Sequence, residues 1–125
     1  MADTGIYATS YEIKNAAGAN ASAVSVSEAG TNQFIAMAEG EINAICRKVF
    51  AADAAAFAAL PAGGKKLLSS TASCLAGIRC IEYDMSGYTS RAEAEDMINV
   101  LRDTALRNMA ILRDDKVQRF IINGA

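Results

Sequence analysis

The sequence predicts an all-α fold: a small helical bundle of three long helices plus short ones, with an extended N-terminal arm and an apolar C-terminal tail. Three observations carry this. Apolar residues recur at the three-and-four spacing of a helix in three separate segments. Alanine fills about a fifth of the chain, a density that favours helices packed closely. Gly18, Pro61 with Gly63-Gly64, and Gly87 punctuate the pattern between segments. With 125 residues there is room for one domain, 1–125, divided into an arm over 1–24, a bundle over 25–114 and a docking tail over 115–125.

Residues 1–24 are rich in Ala, Asn, Ser, Gly and Thr, and only Ile6, Tyr7, Tyr11, Ile13 and Val24 are sizeable apolar groups. Such a segment cannot build a core alone, although a short helix over 10–17 ended by Gly18 fits it. It reads either as an arm that orders against a neighbour or as a loosely packed terminus. The first long helix starts between Ser25 and Thr31, where Ser25 and Glu28 have capping-box spacing and Thr31 is a later candidate cap. Its stripe is Phe34, Ala38, Ile42, Ile45 and Val49, widened by Ile35, Cys46 and Phe50.

Asp53 can cap a brief Ala-rich turn through Leu60, which Pro61 and Gly63-Gly64 then stop as a hinge. The second long helix runs from Lys65 to Tyr83 with Leu67, Leu68, Thr71, Cys74, Leu75, Ile78 and Ile81 inward, and Gly77 lets another helix approach. A linker over 83–89 leads to Ser90 and Glu93, a second pair at capping-box spacing. The third helix then turns Ala94, Met97, Ile98, Leu101, Ala105, Met109 and Leu112 to the core, with Asp103 and Arg107 placed for an i,i+4 pair. Past Asp114-Asp115, the segment containing Val117, Phe120, Ile121 and Ile122 is β-branched and aromatic, and is expected to dock on another chain as an added strand rather than fold back. On that reading, removing residues 117–125 leaves the bundle intact.

Composition excludes several chemistries. The chain has no His, so it cannot supply a Ser-His or Cys-His pair or a histidine metal ligand. Cys46, Cys74 and Cys80 form no C-x-x-C pair, and they read as reduced, buried thiols. No apolar run approaches the roughly 18 residues of a membrane span, so no membrane partner is expected. A net charge of −2 argues against tight, sequence-independent gripping of nucleic acid. The densest acidic cluster, Glu93, Glu95 and Asp96 with Asp84 nearby, is where an enzyme or a metal-binding reading would have to begin. Acids in the first turns of a helix are also what its dipole favours, and that reading is preferred here. No catalytic, cofactor-binding or metal-binding residue is assigned, and no enzyme activity is expected.

The run Tyr83-Asp84-Met85-Ser86-Gly87-Tyr88-Thr89-Ser90-Arg91, continuing through Glu93-Ala94-Glu95-Asp96-Met97-Ile98-Asn99, resembles a segment of small virion proteins of tailed bacteriophages. The wider layout over residues 38–122 is similar to that of their head-to-tail connector, or adaptor, family: a helix bearing Glu41-Ile42-Asn43, an Ala-rich turn, a long helix, this linker, a last helix and an apolar tail. The resemblance implies a structural α-helical subunit in the virion neck, assembled in the host cytoplasm as a homo-oligomeric ring, usually of twelve copies, beneath the portal protein. Such a ring extends the channel through which double-stranded DNA passes without specific binding, and it docks the tail or a second adaptor. By the same resemblance Val117, Phe120, Ile121 and Ile122 would contact the portal or a neighbouring subunit, and the linker residues Asp84, Gly87 and Tyr88 would set the angle between long helices. The alternatives are another neck or tail-completion protein, or a small helical domain that binds a metal or ligand through the acidic cluster.

Overall fold

A computed structural model of the chain describes residues 5–18, 28–47, 49–51, 53–83 and 91–123. Among the described residues six helices follow in order: α1 (Ser10–Ala17), α2 (Glu28–Cys46), α3 (Ala54–Ala58), α4 (Ala62–Tyr83), α5 (Arg91–Leu112) and α6 (Asp115–Asn123). The described residues contain no strand, and the three long helices are α2, α4 and α5, as the periodicity predicts.

The bundle is organised around α4, which touches α1, α2, α5 and α6. Thr71, Ala72, Ser73 and Cys74 are four consecutive buried residues, so this helix has no solvent face along its middle. Buried hydroxyls are tolerated because each bonds back to its own helix: Thr71 Oγ1 donates to the Leu67 carbonyl at 2.8 Å and Ser73 Oγ to that of Ser70 at 3.1 Å. Two glycines set how near the neighbours come. A Cβ on Gly77 would lie 3.2 Å from Ala16 Cβ, which is the close helix approach expected there. A Cβ on Gly64 would lie 2.6 Å from Ile121 Cα, inside the backbone of α6.

Residues 5–18 of the N-terminal segment pack into the core rather than extending as an arm. Thr9 caps α1 through a complete capping box with Glu12, and Gly18 ends the helix at φ 91°. Tyr7, Ile13 and Ala17 are buried. Polar bonds fix the entrance: Glu39 Oε2 accepts from the backbone N–H of Ile6 at 2.6 Å and of Tyr7 at 2.7 Å. The Tyr7 hydroxyl donates to Asn43 Oδ1 at 2.6 Å and accepts from the Phe50 N–H at 3.2 Å. Few large apolar groups suffice because the small residues of α4 let this segment come close.

The C-terminal segment is helical and folds back, which corrects the expected docking strand. Val117, Gln118, Ile121 and Ile122 recur at one, three and one residues, a helical stripe, and Ile121 is fully buried. Asp114 starts α6 by accepting from the Lys116 N–H at 2.8 Å. Gln118 Nε2 donates to the Leu112 carbonyl at 2.8 Å, answering one of the orphan acceptors at the end of α5, and reaches the Cys46 carbonyl at 3.5 Å. Removing residues 117–125 would therefore strip a core side chain and uncover Gly64, so the bundle is not expected to survive that truncation intact.

Three smaller differences have local causes. α4 starts at Ala62, so Gly63 and Gly64 occupy its first turn rather than a preceding hinge; Pro61 sits before it, where its carbonyl accepts from the Lys65 N–H at 3.0 Å. In α2 the buried stripe is Thr31, Phe34, Ile35, Ala38, Ile42 and Cys46. Thr31 lies inside the helix rather than capping it, and Val49 is 61% exposed because Arg47, at φ 55°, has already turned the chain out of the helix. Asp53 caps α3 as expected, accepting from the Ala56 N–H at 2.8 Å, and Arg107 pairs with Asp103 at 2.8 Å. Ser25 and Ser90, the other proposed caps, lie outside the described residues.

The glycines rank themselves by the space around them. Gly64→Ala is expected to cost about 1–3 kcal/mol, since α6 must shift. Gly77→Ala should cost less, because the added methyl meets Ala16 at a distance a small adjustment relieves. Gly40, mid-helix with nothing within 4 Å of a Cβ, should gain roughly 0.5–1 kcal/mol as Ala. Denaturant unfolding of the three variants checks the order, and a Gly64→Ala variant as stable as the parent would contradict the close α6 contact.

Candidate assembly surfaces

The four tail residues assigned an interface role do not share one environment. Ile121 is fully buried, Val117 and Ile122 are partly buried against the core, and Phe120 is 44% exposed beside Gly63. Phe120 is thus the side chain of the four that α6 presents outward. The linker residues Asp84, Gly87 and Tyr88 lie outside the described residues.

Sequence reasoning missed other apolar side chains. Val100 is 66% exposed, Leu106 58% and Ile111 42%, all on α5. At 100° per residue, Ala94, Ile98, Ala105 and Leu112 form the buried stripe of α5, with Met97 and Met109 about 120° apart on its two flanks. Each flank holds a groove. Near the start of α5, Ala16 of α1 and Met97, Val100 and Leu101 line one of about 590 Å³, with Glu93 and Asp96 among its walls. Near its end, Ile45 of α2 and Leu106, Met109 and Ala110 line another of about 410 Å³, walled also by Arg47 and Arg113. The signal was present in the sequence: Val100, Leu106 and Ile111 are large apolar residues off the predicted stripe.

A third groove, between α1, α3 and α4, is lined by Glu12, Phe57, Lys65, Lys66, Ser69 and Ser70, among others. Two of its polar groups already serve the fold. Lys65 Nζ donates to the Ala58 carbonyl at 3.3 Å, and Ser69 Oγ donates to that of Tyr7 at 2.8 Å.

The groups weighed for chemistry are placed as follows. Glu95 and Asp96 are exposed and Glu93 is partly exposed. Among the described residues no three His, Cys, Asp or Glu side chains gather as a metal site, and Asp84 lies outside them. All three cysteines are buried and unbridged. Cys46 Sγ donates to the Leu112 carbonyl at 3.4 Å. Burial pushes each thiol above its ordinary value, that of Cys80 from 9.0 to about 11, which disfavours the reactive thiolate. No helix among the described residues is long and apolar enough to cross a membrane.

The raised thiols predict an alkaline weakness. The folded state holds the Cys80 proton more tightly than the unfolded chain, so this contribution to stability is complete below pH 9 and is lost as the pH climbs toward 11. Burial also raises the Tyr7 hydroxyl above 10.0, adding to the loss in the same direction. Unfolding free energies measured across that range should fall, less steeply in Cys80→Ala, and a flat profile would contradict the burial of both groups. Comparison with protein-family models, with curated proteins and with solved structures finds no match.

Proposed function

We propose that this chain is a structural subunit of the neck of a tailed-bacteriophage virion, a head-to-tail connector that assembles in the host cytoplasm as a ring beneath the portal, usually of twelve copies. The ring would extend the DNA channel and dock the tail or a second adaptor. The observation that carries this reading is the large apolar side chains left exposed on a small, well-filled helical bundle, Val100 and Leu106 on opposite flanks of α5 and Phe120 on α6. Val100 adjoins Met97 and Leu101, and Leu106 adjoins Ile45 and Met109, and contiguous apolar groups of this kind mark contacts between macromolecules. A ring needs two different surfaces per subunit, since heterologous contacts are what close into rings.

Two sequence properties support the reading further. The resemblance to connector proteins runs through Arg91 to Asn99, which open α5, the helix that bears both flanks. The net charge of −2, repeated around a ring, would on average repel phosphate and so suit a wall past which DNA slides. In this scheme Phe120 is the portal-facing contact of the tail, while Val117, Ile121 and Ile122 hold the helix that presents it.

Co-expression with the portal protein encoded in the same genome tests the proposal. The chain is expected to co-purify with the portal as a ring, and a genome without a portal gene, or a portal that never retains the chain, would contradict it. Phe120→Ala should change unfolding free energy by less than about 1 kcal/mol yet weaken portal retention, whereas Ile121→Ala should cost about 2–4 kcal/mol through the cavity it leaves. Retention unaffected by Phe120→Ala would remove the tail from the interface.

A further inference from the structure

We propose that the two flanks of α5 are the complementary halves of one head-to-tail contact between copies of this chain. The inference rests on the reading of the chain as an assembly subunit, and it names the surfaces and the partner, a second copy.

Charge and apolar character act together here. Both grooves have apolar floors of similar character, Met97, Val100 and Leu101 in one and Ile45, Leu106 and Met109 in the other. Their charged walls have opposite sign: Glu93 and Asp96 on the first, Arg47 and Arg113 on the second. Asp96, Arg47 and Arg113 are exposed, and none of the three has an ion-pair partner among the described residues. Two copies meeting through the same groove would set like charges against each other, which disfavours a symmetric dimer on either flank. Meeting through opposite grooves buries both apolar floors and pairs acid with base.

The placement suits propagation. Met97 and Met109 are twelve residues apart, about 18 Å along the helix axis, and lie on either side of the buried stripe. A copy seated on one flank therefore leaves the other open for the next copy. A heterologous contact of this kind either closes into a ring or continues as a filament.

Charge swapping tests this on the full chain, without a portal. In sedimentation at low salt, up to about 1 mM, the parent chain should self-associate, more weakly as salt screens the pairs. Asp96→Lys alone and Arg113→Glu alone should each weaken association at least about tenfold, while circular dichroism stays that of the parent, since both side chains are exposed. An equimolar mixture of the two variants should associate again, because the reversed acidic flank of one then meets the reversed basic flank of the other. A parent that stays monomeric at about 1 mM, single variants that associate like the parent, or a mixture that fails to recover would each overturn the proposal. Portal capture without charge-dependent self-association would leave the connector reading standing and sink this contact; the reverse result would do the opposite.

Discussion

The backbone of α6 crosses Gly64, and α1 crosses Gly77, at separations that leave little or no room for a side chain on α4. That constraint organises the molecule. A chain of this size has a small core, and it encloses the middle of its central helix by keeping that helix narrow: Gly64, Ala72, Ala76 and Gly77 are small, with Leu68 and Ile81 supplying bulk toward the ends. The mid-helix Gly77 costs up to about 1 kcal/mol of helix propensity, and the close packing it permits offsets that. Polar side chains then fasten both chain ends, Tyr7 and Glu39 at the N-terminal segment and Gln118 at α6. Because these bonds are partly or wholly buried, each is more costly to break than to have left unmade.

Packing residues 5–18 and 115–123 inward changes which apolar side chains are exposed: three of the four large apolar side chains of α6 are held against the bundle, and Phe120 remains outside. The larger exposed surface lies along α5, where the helix is wide enough to pack on α4 and still present a flank on each side. A long helix with distinct flanks fixes the two grooves relative to one another through a single element. The geometry of any ring built from it would be set by α5.

The sequence carried most of the fold because the long helices have strong periodic patterns: the stripe through Ala94, Ile98, Ala105 and Leu112, the cap at Asp53 and the close approach at Gly77 are all readable from spacing and residue type. The short terminal helices were harder. In α6 the β-branched pair Ile121-Ile122 suggested a strand, but their i,i+4 relation to Val117 and Gln118 gives a helical stripe, and Asp114 caps it. α1 was legible as a short helix over 10–17 ended by Gly18, but its packing was not, because its burial depends on the small residues of α4 as well as on its own few apolar side chains. The grooves were the least legible feature. Each combines α5 with a different helix, Ala16 of α1 in one and Ile45 of α2 in the other, and such pairings follow from tertiary placement alone.

The account stands on α5 offering two different faces to two neighbours at once, and its methionines report on both. Oxidative footprinting of the full chain, dilute and then assembled, reads Met97 on one flank, Met109 on the other and the exposed Met37 of α2 as a reference. The account predicts that assembly protects Met97 and Met109 together and leaves Met37 as reactive as before. Protection of only one of the two, as a symmetric dimer would give, or of neither, would contradict it.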